Sequence, residues 1–283
     1  MSSEEREREE NLERILLSPS YRIAFKDIDF LSDPSLRPVR MQLELLKPEL
    51  ILEENNVVST IVVFGSTRVM EPAAAKRNLE RARVWLAETP DDVRRRRVVE
   101  RAERLLENSR YYDMAREFAR LVSSRGQRKK RREYVVVTGG GPGIMEAANR
   151  GAYEVAAKSI GLNIRLPHEQ YPNPYITPEL CFQFQYFAMR KFHFLLRAKA
   201  LVVFPGGYGT LDELFDALAL RQTGRMQDIP IIMFGREYWE QVINFQFLAD
   251  EGTIDDADLD LIRYASTAEE AWQIILKFHE EEP

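Results

Sequence analysis

The sequence predicts an α/β protein built on a doubly wound parallel sheet with helices on both faces. Three observations carry this expectation. Five short β-rich apolar runs alternate with helical stretches, the runs lack the alternating polarity of a sheet with one wet face, and four of the five end in glycine. The runs are VVSTIVVFG (57–65), EYVVVTGGG (133–141), KSIGLNI (158–164), KALVVFPGG (199–207) and IPIIMFG (229–235). In such folds ligands settle at the carboxyl ends of strands, where these glycines sit.

Length and composition agree with this class. A chain of 283 residues with 45% hydrophobic content has enough apolar surface for a full core. With 40 Lys+Arg against 45 Asp+Glu and a net charge of -5, no general basic surface exists to hold a nucleic acid polymer by counterion release. The single cysteine, Cys181, excludes an internal disulfide framework and fits a reducing compartment. His168, His193 and His279 lack the close spacing of metal ligands, so neither a metal nor another cofactor is expected. The charged start MSSEEREREENLER has no apolar signal run, and no segment approaches a membrane span, so the expectation is a cytoplasmic protein without a membrane partner.

Taken in order, residues 1–56 read as a helical or irregular N-terminal extension, with prolines and scattered apolar positions suggesting short helices. Residues 57–283 read as the sheet domain. Almost seventy residues separate its first two strands, more than one crossover helix requires, which predicts a helical insertion at about 72–108. Within it, Thr89 is the expected N-cap of a helix with Pro90 at the first position and Asp92 closing a capping box. A packing helix follows at 109–124, with Tyr112, Ala115, Phe118, Ala119 and Val122 on one stripe. Two basic runs, Arg94 to Arg97 and RGQRKKRRE (125–133), read as a solvated or partner-facing helix surface and as a hinge before a strand.

Two glycine-rich strand ends carry the chemistry. In VVVTGGGPGIMEAANRGAYE, a strand runs into Gly139, Gly140, Gly141 and Gly143, then into a helix whose free amides suit a phosphate; a plain tight turn is the alternative. The spacing matches neither G-x-G-x-x-G with a ribose-binding acid nor G-x-x-x-x-G-K-[ST]. PGGYGT repeats the arrangement, with Gly206, Gly207 and Gly209 permitting close approach and Thr210 adding a hydroxyl. Glu213 has two readings: a catalytic carboxylate, or the far end of a T-L-D-E capping box that merely satisfies the Thr210 amide. In YFAMRKFHFLLRAKA, Phe192, Leu195, Leu196 and Lys199 recur at helical spacing. That leaves Arg190 and Lys191 in the first turn, where a cation needs an anion to offset the helix dipole. No role is assigned to His193.

Together FGSTR (64–68), GGGPGIMEAA (139–148), AMRK (188–191) and PGGYGTLDE (205–213) resemble the Lonely Guy (LOG) family, many of whose members carry a lysine decarboxylase label. The resemblance covers roughly residues 57–275. It implies a Rossmann-like homodimer that hydrolyses the N-glycosidic bond of a nucleoside 5'-monophosphate to free base and ribose 5-phosphate. By motif position it implies Arg190 and Glu213 as the catalytic pair, and Gly206, Gly207, Gly209 and Thr210 as the phosphate site. Further substrate contacts would come from Gly65, Ser66, Gly140, Gly141, Gly143, Met189 and Lys191. Glu146 stands where compact members often have Gly, so base recognition does not carry over.

Two rival readings remain. The fold also resembles molybdenum-cofactor carrier proteins, which hold a phosphorylated pterin without turnover. Lysine decarboxylation needs pyridoxal phosphate on a Schiff-base lysine, for which Lys191 is the sole candidate in the motifs.

Overall fold

β1 (Thr60–Phe64) is TIVVF, and all five residues are buried. Alternation along an extended chain sends Ile61 and Val63 into one apolar cluster and Val62 and Phe64 into another, so the strand is covered on both faces. The same division holds for Val136 against Val135 and Val137, and for Ile232 and Phe234 against Ile231 and Met233. This is why the apolar runs lack polar alternation. A computed structural model provides the coordinates, which describe residues 2–128, 130–166 and 171–280. Lys129 and His168 lie outside the described residues.

The main sheet comprises β1, β2 (Val135–Thr138), β3 (Ser159–Ile164), β4 (Cys181–Phe184), β5 (Ala198–Val203), β6 (Ile231–Phe234) and β7 (Ile262–Ala265), all parallel, in the order β4-β3-β2-β1-β5-β6-β7. This is a Rossmann-like doubly wound α/β sheet, as expected. The expected runs account for five strands. β4 and β7 form the two edges, where one side is open to water. Their sequences, CFQF and IRYA, mix exposed and buried positions and give no apolar run.

The chain forms two units, Met1–Lys47 and Pro48–Pro283. The first holds α1 (Ser3–Leu17), closed by a reciprocal Ser2–Glu5 capping box, the short α2 (Ile28–Leu31), three 3-10 turns and the start of α3 (Arg37–Glu54). In the second, Leu52 and Val57 are buried in the core under the sheet.

The insertion is a helical hairpin of α4 (Pro72–Ala87) and α5 (Val93–Asn108), joined through Leu79, Ala82, Val99 and Ala102. α5 begins later than the sequence suggested. Asp92 is its N-cap, its carboxylate accepting the Arg94 and Arg95 amides at 2.7 and 3.2 Å, and Thr89 and Pro90 belong to the preceding turn. An acceptor two or three residues ahead of free amides makes the shorter ring, so Asp92 takes the cap. α6 (Arg110–Gly126) buries all five residues of its expected stripe and packs on α7 (Ile144–Glu154). Residues 127–128 and 131–132 pair as a small antiparallel ribbon where a hinge was expected, because Arg132 is held against Asn56 and Val58 by backbone hydrogen bonds.

Candidate functional site

β1 pairs with both β2 and β5, so strand order reverses there, and the crevice at their carboxyl ends is the natural place for a ligand. The exit of β1 is stapled to both glycine loops. The Ser66 amide donates to the Pro205 carbonyl at 3.0 Å, and the Ser66 carbonyl accepts from the Ile144 amide at 3.1 Å. Gly143 has φ +76°, and a Cβ there would stand 2.3 Å from the Ser66 oxygen, so only glycine fits.

The first glycine loop is in part committed to the protein itself. Its Gly140 amide donates to Thr138 Oγ1 at 3.0 Å, and the Gly140 and Gly141 carbonyls accept from Asn173 Nδ2 at 3.2 and 3.1 Å. Beneath it, buried Asn149 accepts from Thr138 Oγ1 and Asn173 Nδ2 and donates to Ser159 Oγ. The expected offer of free amides at this helix start is corrected for Gly140 and Ile144, both already paired. Gly139 lines the cavity; Gly140, Gly141 and Gly143 lie behind it as scaffold.

The second loop behaves differently. α8 (Phe187–Leu196) and α9 (Tyr208–Gln222) flank it. Gly206 lets the loop close onto Thr210, since a Cβ at Gly206 would lie 2.1 Å from Thr210 Oγ1. The Thr210 and Leu211 amides return to the Gly207 carbonyl at 3.0 Å, leaving the Tyr208 and Gly209 amides without partners among the described residues and no side-chain cap. Gly207, Tyr208, Gly209 and Thr210 all line the cavity. Such an uncapped helix start attracts an anion.

The capping-box reading of Glu213 is overturned. α9 starts at Tyr208, so Thr210 is already helical and Glu213 stands further along the helix than the expected start. Its carboxylate instead accepts from Arg190 Nη2 at 3.0 Å, and the two side chains are 6% and 15% exposed. Burial pushes the Glu213 pKa above its ordinary range, and the Arg190 charge and hydrogen bond pull against that rise. Arg190 also lies over the Phe187 and Phe194 rings at 5.2 and 5.5 Å. Its Nε is buried without a hydrogen-bond partner.

The AMRK helix corrects two further expectations. α8 turns Phe194 and His193 inward, whereas Phe192 and Leu196 of the stripe read from sequence are exposed and Leu195 packs against the core; Lys199 lies in β5. Lys191 does not reach the cavity. It pairs with Asp212 at 2.9 Å and Asp216 at 3.8 Å, beside a second groove that includes Phe192, Leu195 and Leu196. Met189 packs against the core.

Arg190, Glu213, Gly65, Ser66, Gly207, Gly209 and Thr210 thus converge on one cavity of about 540 Å³, to which Gly206 contributes from behind. Sequence reasoning missed Arg68, Met145, Asn163, Phe187 and Tyr208 on its walls. Arg68 sat within the quoted FGSTR motif, the one available signal. Glu146 is drawn away toward α6, accepting from Tyr112 Oη at 2.8 Å. The arrangement joins an anion-attracting helix start to a buried, arginine-held carboxylate.

A family model described as "Possible lysine decarboxylase" matches residues 145–275. No curated protein sequence matches the chain. Among solved structures, the structural-genomics protein TM1055 is 24% identical, covering 77% of this chain and 99% of its own, with a TM-score of 0.48. A molybdenum cofactor carrier protein from Chlamydomonas reinhardtii is 17% identical over 79% and 99%, with a TM-score of 0.48. A molybdenum cofactor binding protein from the phototrophic bacterium Rippkaea orientalis is 19% identical over 59% and 87%, with a TM-score of 0.44. Residues 145–275, the part of the chain that this family model matches, carry Arg190, Glu213 and the second glycine loop.

Proposed function

We propose that the chain is a nucleoside 5'-monophosphate phosphoribohydrolase, releasing free base and ribose 5-phosphate. The observation that carries this reading is the Glu213 carboxylate, buried and held 3.0 Å from Arg190, in the same cavity as the uncapped start of α9. The Tyr208 and Gly209 amides and the Thr210 hydroxyl would take the 5'-phosphate, a part of the substrate that does not react, and that binding would hold the sugar against Glu213.

As the C–N bond breaks, positive charge develops on the ribosyl carbon, and an ionised carboxylate beside it stabilises that charge. Water then bonds to the carbon as the C–N electron pair leaves with the base; the water's proton passes to Glu213 and from there to the departing base, which restores the carboxylate. Arg190 keeps Glu213 ionised and has Nε as a spare donor.

The decarboxylase description fits the residues poorly. Among the cavity's described lining residues there is no lysine to form a Schiff base, and Lys191 is engaged by Asp212 and Asp216. The test is chromatographic detection of free base from AMP, GMP, CMP, UMP and isopentenyl-AMP, with adenosine beside AMP. Base release from nucleotides with slow turnover of adenosine is expected. Equal turnover of AMP and adenosine would discard the phosphate handle, and binding without release would favour the carrier reading. A homodimer accompanies the proposal, expected by light scattering at twice the 33.0 kDa chain mass.

A further inference from the structure

We infer that Arg68 is the counter-cation for the phosphate group of the ligand in this cavity, a residue neither the motifs nor the family match assigns. The inference extends the proposed reading of the same site, but it concerns the anion and not the bond that breaks.

Among the described residues, three charged side chains line the cavity: Arg68, Arg190 and Glu213. Arg190 and Glu213 neutralise one another at 3.0 Å. The guanidinium of Arg68 makes no hydrogen bond, ion pair or ring contact among the described residues, in a chain where acids outnumber bases by 45 to 40. A free arginine on such a chain is an unmatched positive charge.

The backbone at Arg68 is fixed. Its amide donates to Ser66 Oγ at 3.1 Å, and Ser66 is itself bonded to the Pro205 carbonyl beside the second glycine loop and to the Ile144 amide. Arg68 therefore starts from a rigid point on the wall shared with α9. Thr210, on the same cavity's wall, is 6% exposed and has a hydroxyl with no partner among the described residues. A phosphate monoester brings between one and two negative charges near neutral pH. Glu213 adds a third centre of negative charge to the cavity, and Arg190 cancels only that one. Two backbone amides and a hydroxyl supply donors but only a partial charge. Arg68 supplies the missing whole charge, with a planar head suited to phosphate oxygens.

The experiment is titration calorimetry of the full chain with inorganic phosphate, which needs no turnover. Wild type is expected to bind, and Arg68→Gln to bind about tenfold to hundredfold more weakly, the range of a charge-assisted hydrogen bond. Arg68→Lys should recover much of that affinity. In the base-release assay, Arg68→Gln should lower kcat/KM for AMP far more than for adenosine, which carries no phosphate. No phosphate binding by wild type, undiminished binding by Arg68→Gln, equal weakness of the Lys and Gln variants, or parallel losses with AMP and adenosine would each overturn the inference. Phosphate binding that depends on Arg68 without any base release would uphold it while removing the hydrolase reading.

Discussion

Replacing Glu213 with Gln separates chemistry from stability, because the two effects have opposite signs. The carboxylate is 6% exposed and bonded to Arg190. Its folded pKa is raised, chiefly by burial, so its contribution to stability is full in acid and is lost as pH rises through that folded value. Once ionised, the carboxylate bears the cost of a buried charge, which Glu213→Gln relieves. Against this, Arg190 exchanges a charged acceptor for a neutral one, a loss of about 1 kcal/mol. The two nearly cancel, and melting should move by no more than about 2–4 °C. The rate of base release should fall about hundredfold or more, equal to ~2.7 kcal/mol of barrier.

The pH profile gives a second reading of the same pair. Activity requires ionised Glu213, so the acid limb should lie above the ordinary carboxylate range. In Arg190→Gln the group that lowers this pKa is gone, and the limb should move to higher pH. Base release followed chromatographically across pH, with circular dichroism melts, checks both. Near-wild-type rates in Glu213→Gln, a collapse of its melting temperature, or an acid limb unmoved in Arg190→Gln would refute the reasoning.

Other outcomes follow from the packing. Gly206→Ala forces a Cβ to within 2.1 Å of Thr210 Oγ1 and should cost about 1–3 kcal/mol in denaturant titrations, whereas Gly207→Ala meets nothing within 4 Å and should melt like wild type. Asn149→Ala strips partners from Thr138, Ser159 and Asn173 in a buried web and should cost about 3 kcal/mol or more, since each stranded polar group costs ~1–3 kcal/mol. Phe118→Ala, emptying a fully buried site between α6 and the sheet, should cost about 3–5 kcal/mol by the same measurement.

The sequence by itself determined the central strands and α6. A strand buried on both faces must be apolar throughout, and a helix buried on one face must repeat its apolar residues every turn; both demands are local and readable. It also marked the second glycine loop and the Arg190 and Glu213 positions, through the resemblance of their motifs. Edge strands β4 and β7 escaped because a half-wet strand shows no such run. The outward turn of Phe192 and Leu196 was equally illegible, since periodicity reports that a helix has a face without saying what lies against it. Only the tertiary structure decided which donors remained free. Both glycine loops read alike, yet in the first Thr138 and Ser66 take the Gly140 and Ile144 amides and Asn173 takes two carbonyls, while in the second the Tyr208 and Gly209 amides have no partner among the described residues. Those partners come from strands and loops far apart in the chain, and a hydrogen bond is settled by distance in space. The same holds for Glu213, whose partner lies on another helix, and for Arg68, which has none among the described residues.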